Sequence, residues 1–162
     1  MKKLLLCLAA CVACCTVTLA DDIAAKVTAV IDGNTVEVVN AANEKMKVLL
    51  AGIDCPELGQ DYGDKAKQYL EKILLRKQVT VTLQGKDRHG NNLGVVMVGD
   101  DDPRIKLLKE GLAWTAEKNP NPDLEPYRTW AQQKGKGLWK MDNPTPPWTY
   151  RRQQTMTAPK SS

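Results

Sequence analysis

A single stretch with helical spacing, Tyr62–Leu75, divides a run of short alternating segments, and that order limits the folds open to the chain. Within it Ala66, Tyr69, Leu70, Ile73 and Leu74 recur at i, i+3, i+4, i+7 and i+8. Lys65, Lys67, Gln68 and Lys72 take the opposite, wet side. Ahead of the helix, Ala24–Val39 alternates apolar and polar residues around the break Asp32-Gly33. Val27, Ala29 and Ile31 share one face and Val36 and Val38 do so after the break, which predicts a hairpin. Met46–Leu50 is a third strand. Behind the helix, Val79, Val81 and Leu83 alternate with Thr80, Thr82 and Gln84, Asp87–Asn92 forms a turn, and Leu93–Val98 is a fifth strand.

Helices follow the last strand. Asp102 can cap one that has Pro103 at its first position and runs to about Gly111. Asp123 can cap another, with Tyr127, Trp130, Ala131 and Lys134 on one face and an end at Gly135 or Gly137. Pro144, Pro146 and Pro147 then make an extended strap that ends in Trp148. Residues Arg151–Ser162 lack an apolar pattern and are expected to be a disordered basic tail. Five strands around one helix, with further helices behind, predict an α+β domain: a five-stranded OB-type barrel with about three helices. The chain has no Phe, so Trp114, Trp130, Trp139 and Trp148 are expected to do much of the packing.

At 162 residues the chain is long enough for one domain with a real core. Its start has the layout of an export signal: Lys2-Lys3, the uncharged apolar run Leu4–Leu19, and small residues at Thr18 and Ala20 just before Asp21-Asp22. The domain then begins at residue 21 and lies in the periplasm or outside the cell, with no transmembrane segment in the mature chain. A rival cut before Cys11, at Leu8-Ala9-Ala10-Cys11, would leave a lipid anchor. Against it, the apolar run ahead is only about seven residues, the lower limit for such a core, and the segment behind is too apolar for a tether. Cleavage after Ala20 leaves Cys55 as the one cysteine, so no internal disulfide is possible. As a single residue Cys55 reads as a small filler, with a reactive thiol as the alternative.

The formal charge of +4 overstates the basic character of the body. Without Lys2 and Lys3 there are 21 basic against 19 acidic residues, and without the tail beyond Tyr150 there are 18 against 19. A body of charge −1 is a poor footprint for tight nucleic-acid binding. The chemistry on offer is concentrated in Leu49–Glu57, where an apolar strand end runs into a turn that carries Asp54 and Glu57 around Cys55-Pro56. Two acids on a proline-stiffened turn can bind a divalent cation or act as acid and base. A plain turn with two solvated acids is the alternative.

From about Lys26 to Arg152 the chain resembles the thermonuclease family, the staphylococcal-nuclease-like proteins. Six motifs carry the likeness in order: V-I-D-G-N-T at Val30–Thr35, A-G-I-D-C-P-E at Ala51–Glu57, D-R-H-G at Asp87–Gly90, G-L-A-W at Gly111–Trp114, G-L-W at Gly137–Trp139 and P-P-W at Pro146–Trp148. The resemblance implies an OB-fold domain whose active members are exported, calcium-dependent phosphodiesterases acting on DNA and RNA. It assigns Asp54 as a calcium ligand with the Cys55 carbonyl beside it, Asp32 as an outer acid, and Glu57 as the remnant of the water-activating base. Arg88 and His89 fall in the substrate loop.

Three positions depart from the family pattern. Asn34 stands where a second carboxylate ligand is usual, and Leu49 and Asn91 stand where two phosphate-holding arginines are usual. Thr115–Glu117 replaces a segment that often flanks the substrate with tyrosine and arginine. Asn34 leaves one carboxylate fewer for a hard cation, so calcium is expected to bind weakly or not at all. Leu49 and Asn91 remove the bidentate partners of a phosphate. Each such loss is worth on the order of 10²–10³ in rate. Lys47 is two residues along the strand, about 6.6 Å away, and is a poor replacement. The chain is therefore expected to be a monomeric nuclease homologue that has lost most or all activity, binds nucleic acid weakly, and acts as a binding or interaction module for an unidentified protein. The alternative is an active metal-dependent endonuclease with cations relocated to Lys47, Arg88 or Lys118.

Overall fold

Short Val- and Thr-rich strands close on themselves because each has one apolar face to bury and only a closed ring leaves no open strand edge. The computed structural model describes residues 22–157. The export signal, the alternative at Cys11 and the last five residues lie outside that range. The strands are β1 (Asp22–Val30), β2 (Thr35–Asn40), β3 (Lys45–Leu50), β5 (Gln78–Lys86) and β6 (Asn92–Met97). They form a closed barrel in the order β1-β2-β3-β6-β5. All neighbours are antiparallel except β3 and β6, which run parallel with Val48 opposite Asn92. Val27, Val36, Val38, Val48, Leu50, Val81 and Val96 fill the interior.

The expected α+β barrel is present, with four α-helices among the described residues where about three were expected. Helix α1 (Gly63–Leu74) buries Ala66, Leu70 and Leu74, the face its spacing predicts. Helix α2 (Pro103–Lys109) begins with Asp102 accepting a hydrogen bond from the Arg104 amide, as expected of a cap before Pro103. Helix α3 spans Glu125–Gln133 and helix α4 spans Pro147–Thr157. A two-residue strand pair, β4 (Ile53–Asp54) with β7 (Trp114–Thr115), was too short to show any alternation.

Four local expectations need correction. In β1 an extra residue sits between Val27, opposite Val38, and Ala29, opposite Glu37. This bulge reverses the alternation beyond it, so Val30 is buried and Ile31 is 38% exposed. Asp123 does not cap α3; Asn121 accepts the Asp123 amide and the helix starts after Leu124 without a side-chain cap. Trp130 faces solvent, and Ala131 is the residue that α3 buries. Finally, the segment from Arg151 is helical as far as Thr157 rather than disordered. Pro147 starts that helix, where a missing amide hydrogen is harmless, and Trp148 anchors its first turn against Trp114 with ring centroids 5.6 Å apart. Trp139 meets Trp114 at 4.4 Å, so three of the four tryptophans form one cluster under the strap.

Helix α1 presses its first residue onto the turn ahead of it. A Cβ on Gly63 would lie 1.9 Å from the Glu57 carbonyl oxygen. Gly63→Ala is therefore expected to destabilise the fold by about 1–3 kcal/mol or more, since backbone on one side cannot retreat from the added carbon. Urea unfolding measures this as a lower midpoint at unchanged slope.

Candidate functional site

The acidic turn begins where β3 leaves the barrel. The Ala51 amide donates to the Gly94 carbonyl at 2.9 Å, which keeps the strand end on β6. The Ala51 carbonyl accepts from Arg104 Nη1 at 2.9 Å. Arg104 is itself locked on Asp102, Nη2 to Oδ2 at 2.7 Å and Nε to Oδ1 at 3.0 Å. Their side chains are only 10% and 11% exposed. Gly52, at φ 82°, then turns the chain into β4, a conformation that suits glycine. Beyond Pro56, the Glu57 amide donates to Gln60 Oε1 at 3.1 Å, and Gln60 Nε2 donates to the Thr145 carbonyl of the strap at 2.6 Å.

The tip of the β1–β2 hairpin is joined to this turn. Asp32 Oδ1 accepts from the Asn34 amide at 2.9 Å, and the Asn34 carbonyl accepts from the Leu50 amide at 2.8 Å. Gly33 lies against Cys55 and Ala66; a Cβ on it would be 2.6 Å from one and 2.8 Å from the other. The Cys55 thiol donates to the Gly33 carbonyl at 3.2 Å. Asp32, Asn34, Asp54, Cys55 and Glu57, distant in sequence, therefore share one end of the barrel. Cys55 is buried, and burial first, then the Asp54 charge, pushes its thiol pKa well up.

Among the described residues, the side chains of Arg88 and Asn91 bond within their own turn rather than to these acids. Leu49 is half-buried on β3, opposite Thr35 on one side and Leu93 on the other. Asn91 is spent within its own turn: its Nδ2 donates to Asp87 Oδ2 and its amide to Asp87 Oδ1, both at 2.9 Å. The Asn91 side-chain bond holds the Asp87 carboxyl below its usual range. Arg88 Nε donates to His89 Nε2 at 3.0 Å, and both residues are exposed. Among the described residues no hydrogen bond or ion pair links Lys47, Arg88, His89, Asn91 or Lys118 to Asp54 or Glu57.

The cation at the acids is Arg151, from helix α4. It grips Asp54 with two parallel bonds, Nη1 to Oδ1 at 3.1 Å and Nη2 to Oδ2 at 2.7 Å. Nη1 also donates to Glu57 Oε1 at 2.6 Å. The next residue, Arg152, bonds through Nη1 to Glu117 Oε1 at 3.0 Å, just past β7. Asp54 is 18% exposed in its side chain and Arg151 45%. Burial raises the Asp54 pKa and outweighs the Arg151 bonds that lower it, with the charges of Glu57 and Asp32 adding to the rise. Arg151 is pushed up, chiefly by its bond to Asp54, so the carboxylate is the partner that titrates. Sequence reasoning missed this residue. Pro146-Pro147-Trp148 marks where α4 starts, but a contact across 94 to 97 positions leaves no local trace.

A calcium ion takes six to eight oxygens. Both Asp54 oxygens already accept from Arg151, and Asn34 offers a neutral amide. Among the described residues no three His, Cys, Asp or Glu side chains are grouped to hold a metal. No helix there is long and apolar enough to cross a membrane.

Comparison with known proteins places relatives around this geometry. A model described as staphylococcal nuclease homologue matches residues 47–141. A Haemophilus influenzae protein called an uncharacterized endonuclease is 35% identical over 130 residues, 80% of this chain and 73% of that one. An uncharacterized endonuclease of Escherichia coli O157:H7 is 36% identical over 132 residues, 80% and 86%. A micrococcal nuclease of Shigella flexneri is 32% identical over 143 residues, 81% and 82%.

Two outcomes follow from the packing around the turn. Cys55 is expected to resist a disulfide reagent in the native protein at pH 8 and to react at once after denaturation; a thiol titration with and without urea checks this. Arg104→Met is expected to destabilise by about 3–5 kcal/mol, because the largely buried Asp102 side chain loses its ion-pair partner. Chemical denaturation reads that loss.

Proposed function

We propose a function from one premise: the chain belongs to the staphylococcal nuclease homologue family. Within it, this member is an exported domain whose phosphodiesterase chemistry is lost or severely weakened, kept as a monomeric binding or interaction module for an unidentified protein partner. What supports this is that Leu49 and Asn91 stand where the family carries arginines, and that the one guanidinium reaching the acids among the described residues, Arg151, is bonded to Asp54 and Glu57 themselves. A phosphodiester needs cationic forks and a metal ion to offset the charge that builds during attack. Here the nearby guanidinium is turned onto the acids, while Leu49 and Asn91 stand at the positions where the family carries arginines. Counting Asp32, Asp54 and Glu57 against Arg151, the end of the barrel keeps a net negative charge that repels a diester. Two substituted stabilising groups alone correspond to a rate loss on the order of 10⁴–10⁶, less if their effects overlap.

One observation favours the second reading, an active metal-dependent endonuclease with relocated cations. Arg151 Nε has no acceptor among the described residues, so the fork has capacity left for a phosphate oxygen. A purified nuclease assay on single-stranded DNA and on RNA, with calcium, manganese and magnesium in turn, separates the two. The first reading expects wild type to match its Glu57→Gln variant with every ion. Metal-dependent cleavage that Glu57→Gln abolishes would establish the second. The triple change Asn34→Asp, Leu49→Arg, Asn91→Arg is expected to gain cleavage over wild type in the same assay.

A further inference from the structure

Beyond Tyr150, helix α4 is held by charge rather than by packing. Its sole buried residue is Pro147, and Arg151–Thr157 are all exposed. A cavity of about 240 Å³ remains between the acidic turn and the strap, lined by Pro56, Gln60, Trp114, Met141, Thr145 and Tyr150. Lifting the helix beyond Tyr150 would therefore break few apolar contacts. What keeps it down is a pair of arginine clasps. Arg151 closes on Asp54 and Glu57, and Arg152 closes on Glu117. Those acids lie on both sides of the β4–β7 pair, at the end of the barrel where Asp32 and Asn34 also converge.

The chemistry of the Arg151 contact is specific. A planar guanidinium matches a carboxylate fork to fork, is more weakly hydrated than an ammonium, and never deprotonates in a protein. It fills both Asp54 oxygens and one Glu57 oxygen at once. A divalent ion that took these oxygens would have to displace a tethered cation, present at high effective concentration because it belongs to the same chain. The tether is short and stiff, since Pro144, Pro146 and Pro147 restrict the strap and Trp148 pins its end on Trp114.

We propose that Arg151 is a built-in cation: in cis it occupies the carboxylate oxygens that a metal ion would use, and α4 thereby latches this end of the barrel shut. The latch rests on the assignment of Asp54 and Glu57 as the remnant site, but not on whether the site still cleaves nucleic acid. Its two clasps are exposed enough to be screened, so the latch loosens as salt rises.

The test is calcium binding to the full chain, by calorimetry, for wild type, Arg151→Gln, and Arg151→Gln combined with Asp54→Asn. Arg151→Gln is expected to raise calcium affinity at least threefold over wild type, and adding Asp54→Asn is expected to abolish the gain. A change of less than threefold, binding too weak to detect in both proteins, or a gain that survives Asp54→Asn overturns the proposal. Arg151 is exposed, so loss of the fold is not expected, and thermal unfolding of each variant verifies it. Hydrolysis measured on the same samples keeps the two conclusions apart. Cleavage by wild type would overturn the inactive reading and leave the affinity ratio to decide the latch.

Discussion

No side chain can be accommodated at position 33, and the geometry of this end of the molecule follows from that. Gly33 lets the hairpin tip between β1 and β2 come into van der Waals contact with Cys55 on the acidic turn and Ala66 on α1. Three segments, from three parts of the sequence, meet at one point with nothing between them. The thiol of Cys55 satisfies the Gly33 carbonyl there, so the contact leaves no stranded backbone group. Arg104 performs the matching task from the other side, joining Asp102 at the start of α2 to the Ala51 carbonyl at the end of β3. The carboxylates of Asp32, Asp54 and Glu57 are thus positioned by packing and by a dry ion pair, not by one another.

Positioning acids in this way has an electrostatic cost. Asp54 loses most of its water and faces two like charges, which together make its ionised form harder to hold. Such a group needs a counter-charge with good geometry, and a metal ion or a guanidinium can supply it. The chain contains its own guanidinium in Arg151. These acids are satisfied from within, through a helix that packs on the fold only at its first turn.

Much of this was legible in the sequence because the signals were local. Alternation marked five barrel strands, spacing marked the buried face of α1, and Asp102-Pro103 marked the start of α2. The acidic turn stood out because Pro56 and two acids lie within four residues. What escaped notice was not local. The bulge in β1 moved Val30 inward and Ile31 outward, and only pairing with β2 reveals it. Strands β4 and β7 are two residues each and exist because of one another. Trp130 looked like core by type, yet the core beneath α3 is already filled at Ala131. Helix α4 has almost no apolar face, so periodicity could not detect it, and its arginines find their partners only once the barrel has brought the acids to them.

The parallel seam between β3 and β6 carries a consequence for how the molecule assembles. The β1–β2–β3 meander and the β5–β6 hairpin each join neighbours in sequence and can form early. Joining Val48 to Asn92 requires the chain between them, α1 included, to be looped back first, and the entropy of that closure is lost before any contact rewards it. Closing the ring at its two long-range seams, β3 with β6 and β1 with β5, is the step expected to set the folding rate, and both the hairpin tip and the latch helix depend on a barrel that does not exist until it is complete.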